Sequence, residues 1–166
     1  MSAVELRNAL PGDYERICAL NLGEVAQTSP MDVPRLQALA RLSCHFRVAS
    51  ADGRMAAFLL AMRDGVAYEN DNYGWFAAHY PCFLYIDRVV VSPACRGLGV
   101  GRLLYEDLFT YARANGIPVL ACEYNIVPPN EPSRRFHERF GFRQQGTQWV
   151  ANGSKQVSLQ VAGTSC

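Results

Sequence analysis

Apolar residues recur along the chain at two spacings, one typical of helices and the other of strands. A spacing of three or four residues predicts helices after Asp13, from about Asp32, between Val100 and Asn115, and around Phe136. β-Branched and aromatic runs bounded by turn residues predict strands. These strands are Leu6–Ala9, Phe46–Ala49, Met55–Met62, Phe83–Val91, Val119–Asn125, Phe142–Val150 and Gln156–Val161.

The order of these segments is β-α-α-β-β-β-α-β-α-β-β. Strands interleaved with helices in this way predict an α/β fold, a single domain over residues 1–166 with one mixed sheet and helices on both faces. Asp52-Gly53 and Asn152-Gly153 are typical of hairpin turns. Gly141 stands where a glycine that ends the last helix is expected.

Regular periodicity disappears between Arg63 and Pro81, where aromatic and polar side chains dominate. We predict a long loop here, and a loop of this length in a compact domain is more often functional than idle. Tyr73 and Trp75 would offer aromatic surface to a bound substrate. The alternative is a loop that packs on its neighbours or on a second subunit.

Charge and composition exclude several classes of protein. The 166 residues carry a formal net charge of only +1, so no broad basic field would attract nucleic acid. We therefore predict no nucleic-acid partner.

No run of 18 apolar residues predicts a membrane span, and the first residues lack the apolar run of a secretory signal, so we expect a cytoplasmic protein. The six cysteines include no CxxC pair, and no metal site is predicted.

A strand, a glycine-rich turn and a helix follow one another over residues 89–102. Backbone N–H groups at such a helix start point outward, and the helix dipole favours an anion there. Arg96 and Arg102 would add positive charge. The turn lacks the lysine of a P-loop, and the dinucleotide pattern GxGxxG fails from both Gly97 and Gly99. The segment therefore predicts a phosphate-binding loop of another kind.

Two motifs resemble those of one enzyme family. Arg96-x-x-Gly99-x-Gly101 resembles the R/Q-x-x-G-x-G/A motif of the GNAT superfamily of N-acetyltransferases. One helix and one strand further on, Asn130-x-x-Ser133-x-x-Phe136-His137-x-x-x-Gly141-Phe142 is similar to the family's N-x-x-A-x-x-[LF]-Y-x-x-x-G-F segment. The resemblance implies a GNAT-like fold, with a mostly antiparallel central sheet splayed at the cofactor-binding strand. It also implies transfer of an acetyl group from acetyl-CoA, the donor substrate, to a primary amine in a ternary complex.

The resemblance further implies which residues bind the donor. The loop amides would hold the CoA pyrophosphate, and the strand before the loop would pair with the pantetheine arm as if with an added strand. The next motif would contact the pantetheine through Asn130, Ser133 and Phe136. The implied set is Val89, Val90, Val91, Arg96, Gly97, Leu98, Gly99, Val100, Gly101, Arg102, Asn130, Ser133 and Phe136.

Acyl transfer to an amine needs a base, because an amine with a pKa of ~10 is mostly protonated at neutral pH. Glu123 and Asp87 each interrupt an apolar strand, where a carboxylate is costly unless it is paired or functional. Either carboxylate is a candidate base or amine anchor. The alternative for each is a structural ion pair, for example with Arg88. A backbone N–H of the Phe83–Val91 strand would stabilise the oxyanion that forms during acyl transfer.

The leaving thiolate needs a proton, and the family commonly supplies it from a tyrosine where this chain has His137. A histidine can replace that tyrosine chemically when its ring is protonated. Alternatively, His137 packs or contacts the substrate, and Tyr85, Tyr124 or water supplies the proton. Both assignments stay open. The candidate substrate-binding residues are Tyr73, Trp75, Tyr85 and Tyr124.

The acceptor is expected to be a cationic amine, because the candidate site segments contain the acidic residues Glu69, Asp71, Asp87 and Glu123. A small free amine, an amino acid-like molecule or a peptide N-terminus would fit, and a homodimer is left open. Two other hypotheses about the function remain. One is a non-catalytic acyl-CoA sensor, in which the missing tyrosine signals lost chemistry. The other is an interaction domain that docks a partner through residues 68–80.

Overall fold

The computed structural model describes residues 3–25 and 27–165. Within them the strands are β1 (Val4–Asn8), β2 (His45–Ala51), β3 (Arg54–Arg63), β4 (Leu84–Val91), β5 (Val119–Val127), β6 (Arg143–Val150) and β7 (Lys155–Gly163). The α-helices are α1 (Tyr14–Leu22), α2 (Val33–Leu42), α3 (Asp71–His79), α4 (Val100–Ala114) and α5 (Glu131–Arg139). Short 3₁₀ turns lie at Pro11–Asp13 and Pro93–Cys95.

The strands form a seven-stranded sheet in the order β1-β2-β3-β4-β5-β7-β6. The β1–β2, β2–β3, β5–β7 and β6–β7 pairs are antiparallel, whereas β4 and β5 are parallel, with Tyr85 opposite Ala121. A parallel pair needs a long crossover, and α4 lies in that connection. This mixed, mostly antiparallel sheet confirms the predicted fold class. The predicted strands are also confirmed, with ends that differ by a residue or two.

Turn chemistry explains where several elements begin and end. Asp52 and Gly53 both have positive φ, 52° and 75°, which matches the hairpin predicted between β2 and β3. The Asp32 carboxylate accepts from the backbone N–H of Arg35 at 2.8 Å and caps α2. Gly141 has φ 82° and lies just past α5, as expected for a residue that ends a helix.

The prediction of a long loop between Arg63 and Pro81 is wrong in part, because Asp71–His79 is the helix α3. The side-chain oxygen of Asn70 accepts from the N–H groups of Asn72 and Tyr73, both at 3.0 Å, and caps this helix. Aromatic residues and the mid-helix Gly74 have modest helix propensity, so the local pattern concealed the helix. Burial of its aromatic face supplies the stabilisation that local propensity does not.

The structure divides into two compact units. The first contains the described residues up to Met62 together with Ile86–Thr110, and its core includes Ile17, Leu36, Leu39, Val48 and Phe58. The second contains Arg63–Tyr85 and residues 111–165, with a core that includes Phe76, Phe83, Tyr85, Leu120 and Leu159. The single domain over residues 1–166 stays a prediction.

Candidate functional site

The glycine loop lies in the first unit, between β4 and α4. Gly97 and Gly99 have φ angles of +84° and +75°, a left-handed conformation that side chains other than glycine rarely adopt. A Cβ at either position would meet no described atom within 4 Å. The glycines are therefore required by the backbone conformation and not by crowding, and both residues are exposed.

The start of α4 provides the polar groups of this loop. The N–H of Leu103 donates to the carbonyl of Gly99 at 3.1 Å, which closes the first helical turn. The first-turn N–H groups of a helix have no acceptor within the helix, and the helix dipole makes that end positive. These groups belong to Val100, Gly101 and Arg102. Such an arrangement suits an anion such as a phosphate.

Arg96 is not a free cation beside this loop. Its guanidinium pairs with the carboxylate of Glu24, in the turn that follows α1. The Arg96 side chain is 57% exposed and that of Glu24 is 24% exposed. Arg102 is also exposed, and its Nε lies 3.5 Å from Oε1 of Glu106. The sequence carried no signal that would have identified Glu24.

Asp87 takes part in a buried ion pair, also in the first unit. Its Oδ2 accepts from Nε of Arg88 at 2.9 Å, and the two side chains are only 3% and 4% exposed. Arg88 also donates to Oδ1 of Asn21 and to the carbonyl and hydroxyl oxygens of Ser29, at 3.0–3.1 Å. The structural ion pair considered for Asp87 is thus present. On the same strand, Val90 is buried, whereas Val89 and Val91 are partly exposed.

Glu123 is paired with Tyr85 in the second unit. The phenol hydroxyl of Tyr85 lies 2.9 Å from Oε1 and 2.8 Å from Oε2 of Glu123, and its single proton is shared between the two oxygens. Tyr85 is fully buried, and its ring lies 5.5 Å from that of Tyr73 and 6.5 Å from that of Tyr68. The half-buried carboxylate is therefore held by a rigid aromatic group.

Tyr73 and Trp75, two predicted substrate contacts, both take part in packing α3. The Tyr73 hydroxyl donates to the carbonyl of Arg63 at 2.7 Å. A Cβ at Gly146 would lie 2.9 Å from Cζ2 of Trp75, so the indole occupies the space that glycine leaves on β6. Beside this helix lies an open surface depression of about 660 Å³, lined by Tyr68, Glu69, Asn70, Asp71 and Gly74.

The second motif forms α5 and its cap. The side-chain oxygen of Asn130 accepts from the N–H of Ser133 at 3.4 Å, so this amide caps the helix. The ring of Phe136 lies 5.2 Å from that of Phe140, one helical turn later. Asn130, Ser133 and Phe136 therefore all stabilise α5 locally, whatever else they contact.

His137 is buried on α5, with 5% of its surface exposed. Its Nδ1 lies 2.7 Å from the carbonyl oxygen of Ser133, which can only accept, so Nδ1 carries the proton. Burial lowers the pKa of His137, and the Ser133 carbonyl offsets this lowering only in part. The ring is therefore neutral at pH 7, with Nε2 unprotonated.

Tyr124 lies beside His137, with ring centroids 5.6 Å apart. Its hydroxyl oxygen accepts from Nε2 of Gln160 at 3.1 Å, and the side chain of Ser158 is a second hydrogen-bond partner of the phenol. Gln160 also donates to Ser158 at 2.6 Å, and Ser158 donates to Gln144 at 2.7 Å. Burial raises the pKa of Tyr124, so the phenol stays protonated at neutral pH.

Sequence reasoning therefore named Glu123, Tyr85, His137 and Tyr124, but it missed the hydrogen bonds that organise them. The polar residues of β7 that hold Tyr124 gave no signal, since alternating polar residues are common in strands. In the part of the chain that the structure describes, no group of three or more metal-ligating side chains is placed to hold a metal ion. None of the helices described is both long and apolar enough for a membrane span.

The chain thus joins a strand, a turn with two left-handed glycines and a helix N-terminus, an arrangement that suits an anion. The chain matches the acetyltransferase (GNAT) family over residues 5–142 and belongs to that family. This match confirms the resemblance that the two motifs indicated.

One curated relative is a phosphinothricin N-acetyltransferase of Streptomyces coelicolor, 44% identical over 59 residues, or 36% of this chain. The match covers about a third, 33%, of that relative's own length. Among solved structures, Ard1 from Thermoplasma volcanium has a TM-score of 0.79 at 16% identity and covers 97% of both chains. The structure of yncA from Salmonella typhimurium with acetyl-CoA has a TM-score of 0.72 at 20% identity and covers 98% of this chain and 95% of that one.

Proposed function

We propose that the protein is an N-acetyltransferase that moves an acetyl group from acetyl-CoA to a primary amine by direct attack in a ternary complex. The observation that carries the proposal is the glycine loop, open and left-handed at Gly97 and Gly99, at the N-terminus of α4. Membership of the GNAT family supports the same chemistry. So does the relative named as an N-acetyltransferase, since acetyl transfer to nitrogen is the activity in its name.

The loop residues fit the pyrophosphate of CoA. Outward-pointing N–H groups and exposed arginines are what a diphosphate requires, and the glycines leave space for its close approach. When bound, acetyl-CoA supplies an activated acyl group as a thioester. The backbone of Val89–Val91 would hold the pantetheine arm by strand-like pairing, and Asn130, Ser133 and Phe136 would line it.

Glu123 is proposed as the anchor and base for the acceptor amine. A carboxylate held by a phenol at 2.8–2.9 Å has a defined orientation and stays available to a cation. Asp87 is the weaker candidate for the base, because its carboxylate already forms a buried ion pair with Arg88. Tyr85 is thereby assigned a positioning role, since its single proton points at Glu123.

Tyr124 is proposed as the acid that protonates the leaving thiolate. His137 is neutral at pH 7 and its one proton is directed to the Ser133 carbonyl, so it is poorly placed to donate. Tyr124 keeps its proton and accepts from Gln160. A thiol with a pKa of about 8.5 needs no strong acid, so a phenol suffices.

The acceptor class is proposed to be a small primary amine or a peptide N-terminus. Support comes from the open depression beside α3, whose lining combines Tyr68 with the carboxylates of Glu69 and Asp71. Aromatic and acidic groups together favour a cationic ligand over an anionic or neutral one.

Isothermal titration with acetyl-CoA tests the donor site. Wild-type protein is expected to bind with micromolar affinity, and Gly99→Glu is expected to abolish binding by adding a charged side chain at a left-handed position. Gly65→Glu is the matched control, because Gly65 is also exposed with φ +80° but lies outside the loop. An amine library assayed by thiol release then identifies the acceptor. Absence of acetyl-CoA binding by the wild type would overturn the proposal.

A second function, that of a non-catalytic acyl-CoA sensor, is favoured by one observation. The residue at the family's usual acid position, His137, is buried and neutral. Tight binding of acetyl-CoA without thiol release for any amine would support the sensor. Thiol release with one amine class and not with others would exclude it.

A further inference from the structure

The ion pair between Glu24 and Arg96 links the glycine loop to the turn that follows α1. Arg96 occupies the first position of the loop motif and is the arginine expected to meet a phosphate group. In this structure its guanidinium meets a carboxylate instead. A carboxylate and a phosphate oxygen offer a guanidinium the same kind of charge-assisted hydrogen bond. The two anions therefore compete for one cation.

Glu24 is held near the loop by its own segment. Arg88, on β4, donates to Asn21 at the end of α1 and to Ser29 beyond Glu24, so both flanks of the turn are fastened to the same strand. The backbone carbonyl of Glu24 also accepts from the N–H groups of Gln27 and Thr28, both at 2.9 Å. The backbone N–H of Glu24 donates to the carbonyl of Asn21 at 3.0 Å, so hydrogen bonds hold the Glu24 backbone on both sides and fix where its carboxylate begins.

We propose that Glu24 is an internal competitor for the donor site, which sets how tightly the glycine loop binds the phosphates of CoA. The inference rests on the proposed function, because it takes the loop to be the CoA pyrophosphate site. Donor binding must first separate Arg96 from Glu24, and the released carboxylate lies on the segment that joins α1 to α2. Glu24 therefore weakens donor binding. Binding of the donor in the loop also releases a contact of the segment that joins α1 to α2.

The size of the effect follows from the exposure of the pair. Exposed ion pairs contribute about 0.2–1 kcal/mol, because water and salt screen both charges. Removing the competing carboxylate should therefore tighten CoA binding by about 1.4- to fivefold. The gain should shrink at high ionic strength, where the pair is already weakened.

The test is isothermal titration of CoA into wild-type protein, Glu24→Gln, Arg96→Gln and the double variant. Glu24→Gln is expected to lower the Kd about 1.4- to fivefold. Arg96→Gln is expected to raise the Kd, and in that background Glu24→Gln should have no further effect. Glu15→Gln is the matched control, because Glu15 is an exposed carboxylate on α1 and its removal changes the net charge equally.

S-acetylpantetheine, which lacks the phosphates of CoA, separates competition from a general effect on the fold. Its affinity should be the same in wild type and Glu24→Gln. An unchanged CoA affinity in Glu24→Gln, or an equal gain in Glu15→Gln, would overturn the inference while leaving the proposed function intact. Absence of CoA binding by the wild type would instead remove the proposed function itself.

Discussion

The phenol of Tyr85 donates one proton to both carboxylate oxygens of Glu123, at 2.9 and 2.8 Å. The donor lies on β4 and the acceptor on β5, two parallel neighbours paired at Tyr85 and Ala121. Tyr85 is fully buried among aromatic rings, so it cannot turn away without disturbing that packing. The carboxylate proposed to handle the acceptor amine is thereby oriented by a side chain that has no exposed surface.

Replacing Tyr85 by phenylalanine should lower kcat/KM for the amine by about tenfold or more, because a hydrogen bond to a charged group is worth about 1.5–3 kcal/mol. The measurement is thiol release at saturating acetyl-CoA. Tyr73→Phe is the control, since Tyr73 lies in the same aromatic cluster but donates to the carbonyl of Arg63. Equal losses in the two variants would mean that packing, and not orientation of Glu123, explains the effect.

Tyr124→Phe should lower kcat by about ten- to a hundredfold, with little change in the Kd for acetyl-CoA, if Tyr124 donates the proton to the thiolate. The expected loss lies at or below the typical hundredfold minimum for general acid catalysis, because the thiol is already a fair leaving group. His137→Asn keeps a donor toward the Ser133 carbonyl and should cost much less activity. A larger loss in His137→Asn than in Tyr124→Phe would return the acid role to the histidine.

Stability should fall as the pH drops below about 6.5, in part because of His137. Its pKa is lower in the folded protein than the ordinary value of 6.5, so the unfolded chain binds the proton more tightly. The neutral ring stabilises the fold above pH 6.5, and that contribution is lost as the pH falls toward the lowered pKa. Urea denaturation at several pH values between about 5 and 8 measures the slope.

His137→Asn should flatten the pH dependence without abolishing it. His45 remains, and burial lowers its pKa in the same direction despite the nearby Asp107. An unchanged slope in His137→Asn would show that the buried ring does not titrate as its surroundings predict.

Gly146→Ala should destabilise the protein by about 1–3 kcal/mol, because the added methyl group would overlap the indole of Trp75 at 2.9 Å. Chemical denaturation measures the loss. Gly12→Ala, where the methyl group would meet no described atom within 4 Å, is the control. Trp75→Leu in the Gly146→Ala background should recover part of the loss. No recovery would place the strain elsewhere on β6.

Much of the fold followed from local pattern, because aliphatic strands, the amphipathic α4 and the Asp52-Gly53 turn are stabilised by the same local preferences that identify them. The helix α3 could not be predicted from the local pattern. Its Gly74 and its aromatic residues are indifferent helix formers, and the helix depends on the Asn70 cap and on burial of Phe76. The cap is local, but the burial comes from contacts with residues distant in sequence, which no local window contains.

The sequence alone determined the family and the glycine loop, because left-handed glycines and a helix start must stand next to one another in the chain. It also identified Glu123 as an anomalous carboxylate within an apolar strand. Only the tertiary structure decided which partner each charged side chain has. Asp87 is paired with Arg88, Arg96 with Glu24 and Glu123 with Tyr85. Two of these pairs join residues far apart in the chain, so the distances between them exist only after folding.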